Sequence, residues 1–122
     1  MNTPATKDVA ALLAQACHDD YRSYHTNQEF LTRDQLAAVF SDMGQTIPDL
    51  AWNVVDIAVA GDRMVVRGEA TGTPVADFWG AAPTGKSFRT MAIDVFTVRD
   101  GKLAIGYHVE NWQTALQQLN AE

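Results

Sequence analysis

The sequence predicts an α+β domain in which a curved antiparallel sheet wraps around N-terminal helices and a short helix closes the chain. Three observations predict it. Apolar residues recur at helical spacing over the first third. From Ile47 onward β-branched residues alternate with polar ones. Two tight-turn signals, Gly61-Asp62 and Asp100-Gly101, separate pairs of those alternating runs. No stretch has the composition of a linker and no period of about 20–50 residues repeats, so the 122 residues read as one domain, 1–122.

From Thr6 to about Tyr24, Val9, Leu12, Leu13, Ala16, Cys17 and Tyr21 recur every three or four positions, which predicts one long amphipathic helix with Thr6 as its N-cap. A polar break follows at His25 to Glu29. Thr32 then precedes Gln35 by three, a capping-box spacing, ahead of Leu36, Val39, Phe40 and Met43, and Gly44 is placed to stop this second helix. Pro48-Asp49 turns the chain into a strand over Trp52 to Ala60, and Arg63 to Thr71 returns as its antiparallel partner. Gly72 to Gly85 holds two prolines around Phe78 and Trp79, which predicts a long loop folding its aromatic pair over something apolar. Ser87 to Val98 and Lys102 to about Asn111 form a second hairpin across Asp100-Gly101, and Trp112 to Leu119 forms the closing helix.

Composition narrows the partners. Fifteen Asp and Glu outnumber nine Lys and Arg, for a formal charge of −6, and the basic residues are scattered, which disfavours nucleic acid. No apolar run reaches the roughly 18 residues of a membrane span, and no basic-then-apolar leader opens the chain, so a soluble, cytoplasmic protein is expected. The single cysteine, Cys17, precludes an internal disulfide and reads as a small buried apolar residue. Three histidines without an i, i+4 pair predict no metal site. Pro83-Thr84-Gly85-Lys86 lacks the spacing of a phosphate loop and precedes a strand, so it is a turn.

Phe78-Trp79-Gly80-Ala81-Ala82-Pro83-Thr84-Gly85-Lys86, followed by Ile93-Asp94-Val95-Phe96 and Asp100-Gly101-Lys102-Leu103, resembles the SnoaL-like polyketide cyclase family of the nuclear-transport-factor-2-like superfamily. Ile47-Pro48-Asp49-Leu50, Ala60-Gly61-Asp62-Arg63, Thr71-Gly72-Thr73 and Gln118-Leu119 fit in the same order, from about Asp20 to Leu119. The resemblance implies a cone-shaped sheet enclosing a pocket for a carbonyl-bearing or aromatic small molecule. It also implies aldol-type ring closure by an aspartate after the last strand with a basic residue on the preceding one, without metal or organic cofactor. A homodimer through the outer face of the sheet is likewise implied.

The sequence departs from that pattern where the chemistry sits. Asn111 stands at the acid–base aspartate and Thr97 at the assisting basic residue, while Ile105, Gly106 and Tyr107 replace the family's Glu-His-Trp. Asparagine can hydrogen-bond an enolate oxygen but cannot accept a proton at neutral pH. A binding protein without chemistry is therefore the alternative to a cyclase or isomerase, and a filled cone serving only protein contacts is a third reading. The early segment also has room for about one helix before His25.

Placing Thr97 and Asn111 in the pocket puts Met91, Ile93, Val95, Tyr107 and Val109 on its wall, unless they simply fill a closed core. The same alternation sends His108 and Glu110 to the opposite face. His25 is a candidate proton carrier at the rim or a loop-tying structural histidine. Asp56 and Asp94 lie inside strands, where carboxylates are disfavoured; either they pair with Arg67 or Arg89, or one projects into the cone in place of the missing aspartate. Asp56 falls on the face of Trp52 and Val54. Phe78 and Trp79 are candidate lid residues and Trp52 and Trp112 candidate walls, against plain core roles for all four.

Overall fold

A computed structural model of the protein describes residues 2–121. After a 3-10 turn at Pro4–Thr6 the chain forms α1 (Val9–Ala16), β1 (Cys17–Tyr24), β2 (Phe30–Thr32), α2 (Arg33–Thr46), β3 (Ala51–Ala60), β4 (Arg63–Gly72), β5 (Phe88–Arg99), β6 (Lys102–Glu110) and α3 (Trp112–Leu119). The six strands make one sheet in the order β2-β1-β6-β5-β4-β3. Both predicted hairpins are present, and Gly61 and Gly101 adopt the left-handed conformation their tight turns need.

The first helix is shorter than its periodicity predicts. Asp8, not Thr6, caps α1, its side chain accepting the Ala11 N–H at 3.1 Å, and the helix ends at Ala16. Cys17 to Tyr24 is a strand that runs parallel to β6, pairing Ser23 with Gly106 and Tyr24 with Tyr107. The sheet is therefore mixed, not purely antiparallel. Val9, Leu13, Cys17 and Tyr21 fit a four-residue helical repeat, yet the first two reach the core from a helix and the last two from a strand, all in one buried cluster. Pairing with β6 decides the outcome, because it gives that strand's otherwise open edge a partner.

The second helix begins as expected. Thr32 Oγ1 accepts the Gln35 N–H at 3.2 Å, and Gln35 Oε1 accepts the Thr32 N–H at 2.9 Å. Gly44 does not stop it. It is buried inside α2, which runs two residues further to Thr46. The stop is set by Ile47, which precedes Pro48 and is biased out of the helical region.

Two clusters hold the fold. One packs Ile47, Leu50, Ala70, Phe78, Phe88, Ala115 and Leu119 where α3 and the 73–87 loop close one end of the sheet. Phe88 is 2% exposed there, a burial that stabilises by about 1.5–3 kcal/mol. The other joins α1, α2 and β1 through Val9, Leu13, Tyr21 and Ala37. Among the described residues, no helix is long and apolar enough to cross a membrane.

Candidate active site

The strand register determines which side chains share the helix-covered, concave face. Ala70 and Phe88 lie on it, since they pack against Ala115 and Leu119. Stepping from β3 to β6, three rows of that face are Ile57–Val66–Asp94–His108, Val54–Gly68–Ala92–Glu110 and Val59–Met64–Phe96–Gly106. Two carboxylates and an imidazole thus lie on adjacent rows of the inner face.

They form one bonded array. His108 donates Nδ1–H to Asp94 Oδ1 and Nε2–H to Glu110 Oε1. Trp52, from β3, donates its indole N–H to the same Glu110 oxygen at 3.2 Å. Burial alone would push the imidazole toward its neutral form. The hydrogen bonds and charges of Asp94 and Glu110 outweigh it and raise the His108 pKa to about 10. At neutral pH the array is therefore an imidazolium between two carboxylates, the arrangement that most favours a charged histidine.

The two carboxylates differ in access. The Glu110 side chain is 3% exposed, and its second oxygen, Oε2, is buried without a hydrogen-bond partner. The Asp94 side chain is 21% exposed, and its neighbours along the row are Val66 and Ile57. On β3 the inner-face residues Val54, Ile57 and Val59 remain open to solvent. The concave face is consequently a trough with one uncovered apolar wall and Asp94 at the boundary between wall and charge.

At the β1 side the trough is closed by Tyr21. Its hydroxyl lies where a side chain on Gly106 would begin, so a Cβ at that position would overlap it, with the Phe96 ring 3.2 Å away on the other side. Burial, followed by the nearby Cys17 and Asp94, holds the phenol far above its ordinary pKa, so it stays a neutral hydroxyl.

Several expected site residues lie elsewhere. Met91, Ile93, Val95, Thr97, Tyr107 and Val109 share the outer face, where Met91, Ile93, Tyr107 and Val109 are exposed. Alternation along β5 and β6 separates the two sets correctly, but the more apolar set faces outward. His108 and Glu110, expected outside, are inside. Asp56 is opposite Arg67 on the outer face, because an irregularity between Val54 and Asp56 reverses its side relative to Trp52. Asn111 caps α3, accepting the Thr114 N–H at 3.1 Å. His25 sits in the β1–β2 turn beside Glu29, 3.4 Å away. Phe78 is core, and Trp79 is exposed, stacked on Phe78 and edge-on to Trp112 at the closed end. Trp52 is a wall of the trough and Asp94 points into it.

Two depressions open elsewhere on the surface. One of about 570 Å³ is lined by residues such as Asn53, Glu69 and Arg89, and one of about 410 Å³ by residues such as Arg22, Thr97 and Arg99. Neither is lined by Asp94, His108 or Glu110, and the bonded array marks the chemistry better than these hollows do. Among the described residues, no group of three or more histidine, cysteine, aspartate or glutamate side chains is arranged to hold a metal ion.

A family model of SnoaL-like polyketide cyclases matches residues 2–119. The chain belongs to that family. IdmH from Streptomyces antibioticus, a candidate polyketide cyclase, superposes with a TM-score of 0.83 at 24% identity, over 91% of this chain and 86% of that one. TsrD from Streptomyces laurentii gives 0.80 at 25% identity, over 98% and 90%. A SnoaL-like polyketide cyclase candidate from Jannaschia sp. CCS1 gives 0.83 at 20% identity, over 98% and 83%. No protein of curated function matches it. This SnoaL-like chain keeps the family fold and places its carboxylate–imidazole array on β5 and β6, before the Asn111 position.

Proposed function

We propose that the protein catalyses an aldol-type cyclisation, or a related proton transfer at a carbon acid, on a carbonyl-bearing, largely apolar small molecule bound in the concave trough. The observation that carries this reading is Asp94: a carboxylate fixed by an imidazolium, partly open, beside an uncovered apolar wall. Val54, Ile57 and Val66 bind the ring system. Asp94 takes a proton from the carbon next to a carbonyl. The resulting enolate carbon attacks a second carbonyl carbon of the same molecule, forming one C–C bond, and Asp94 returns the proton to the new alkoxide. Atoms and charge balance without a co-reactant. The His108 cation lowers the cost of the negative charge that passes between Asp94 and substrate.

The α-proton exchange of 2-acetylnaphthalene in D₂O tests this step without knowledge of the physiological substrate. The wild type is expected to accelerate exchange and Asp94→Asn to abolish the acceleration, since an amide is no base. Equal rates in both proteins would refute the role of Asp94.

A second reading keeps the trough and drops the chemistry. It is favoured by Asn111, which stands at the family's acid–base position and is engaged as a helix cap. Under it, the ketone quenches Trp52 fluorescence saturably while exchange stays at the buffer rate.

A further inference from the structure

Glu110 shows an asymmetry that simple burial does not explain. Both of its donors, the His108 Nε2–H and the Trp52 indole, converge on Oε1, while Oε2 is buried and unpartnered. A buried carboxylate oxygen without a donor is costly, and a glutamine would do the same hydrogen bonding with its amide oxygen at Oε1. What glutamine cannot supply is the negative charge. Trp52 also packs edge-on against Phe40 of α2, with ring centroids 5.4 Å apart, so the indole that pins Glu110 is itself braced by the helix across the trough.

We propose that Glu110 is a positioning residue that acts through its charge. Braced by Trp52, it holds the far side of the His108 imidazolium, so that the near N–H stays on one oxygen of Asp94 and the other remains free for the trough. The charged groups that act on His108 are Asp94 on β5 and Glu110 on β6, and the Tyr21 hydroxyl on β1 lies near Asp94. Of these, Asp94 and Glu110 bond the imidazole directly. With Asp94 as its only counter-charge, the imidazolium would lose its proton at lower pH and turn with less restraint. This inference rests on the reading of Asp94 as the base, but its decisive readout is independent of turnover.

The experiment is an NMR titration of the His108 imidazole in the wild type, Glu110→Gln and Trp52→Phe. The glutamine variant keeps the shape and both hydrogen bonds, so the midpoint should fall from about 10 by about one pH unit or more. Trp52→Phe keeps the charge and loses only the brace, so the midpoint should fall less while the Nε2 resonance shifts. An unmoved midpoint in folded Glu110→Gln would overturn the proposal. If that variant does not fold, an unmoved midpoint and Nε2 resonance in Trp52→Phe would overturn it instead. Wild type that exchanges no deuterium into 2-acetylnaphthalene removes the catalytic reading above and leaves the His108 titration to decide this one.

Discussion

His108 and Asp94 are register partners across β5 and β6, and their side chains meet on the concave face in a hydrogen bond from Nδ1–H to Oδ1. The pairing is set by the Asp100-Gly101 turn together with an irregularity between Thr97 and Val98, where Ala104 is an extra residue on β6; the turn's own register would place Asp94 opposite Tyr107. A one-residue slip of β6 against β5 would send His108 to the outer face, away from Asp94.

The first prediction concerns pH. The folded-state pKa of His108 is raised from 6.5 to about 10, so its charge stabilises the fold fully below pH 6.5, and that contribution is lost as pH rises through about 10. Denaturant unfolding between pH 6.5 and 9.5 should show wild-type stability falling, with a shallower fall in His108→Gln. Parallel curves would contradict a charged His108.

Removing the imidazole should also be expensive at neutral pH. His108→Ala leaves the buried Glu110 and the half-buried Asp94 facing each other without a cation, a loss on the order of 3 kcal/mol. Adding Glu110→Gln should recover part of it, which a double-mutant cycle on unfolding free energies measures.

Gly106 and Tyr21 make a steric pair. Gly106→Ala forces a methyl group onto the buried Tyr21 hydroxyl and should cost about 1–3 kcal/mol. Tyr21→Phe in the same chain should relieve much of that cost. Simple additivity of the two substitutions in thermal unfolding would show that the hydroxyl is not the obstacle.

Thr32→Ala removes the side-chain half of the α2 capping box and should destabilise by about 1 kcal/mol, read as a lower denaturation midpoint with an unchanged slope.

The outer face carries its own expectation. Met91, Ile93 and Val109 expose an apolar strip, at 51%, 40% and 67%, and we propose that two copies pair through it. Sedimentation velocity should then show a dimer in the wild type and a monomer in Val109→Lys; a monomeric wild type would end the proposal.

What the sequence revealed followed the range of the interaction involved. The Gly61-Asp62 and Asp100-Gly101 hairpins and the Thr32–Gln35 cap are set by residues a few positions apart, and all three are present as expected. Val9, Leu13, Cys17 and Tyr21 satisfy a helical repeat that predicts helix through β1, whereas the strand's pairing partner β6 lies some eighty positions further along the chain. The site was half legible. Alternation places His108 and Glu110 on one side, but hydrophobicity points to the wrong side, and Asp94 stands only as a separate candidate for the cone. The apolar set of Met91, Ile93 and Val109 faces outward, and the charges are tolerated inside because they are mutually bonded. The reversal of Asp56 depends on an irregularity beside Val55 that no turn or breaker residue announces.

The most direct test of the trough as the site is a crystal structure with 2-acetylnaphthalene bound. The ring system should lie against Val54, Ile57 and Val66, with its carbonyl and methyl group toward the Asp94 carboxylate. Density confined to the outer depression beside Glu69 and Arg89, with the trough unaltered, would contradict it.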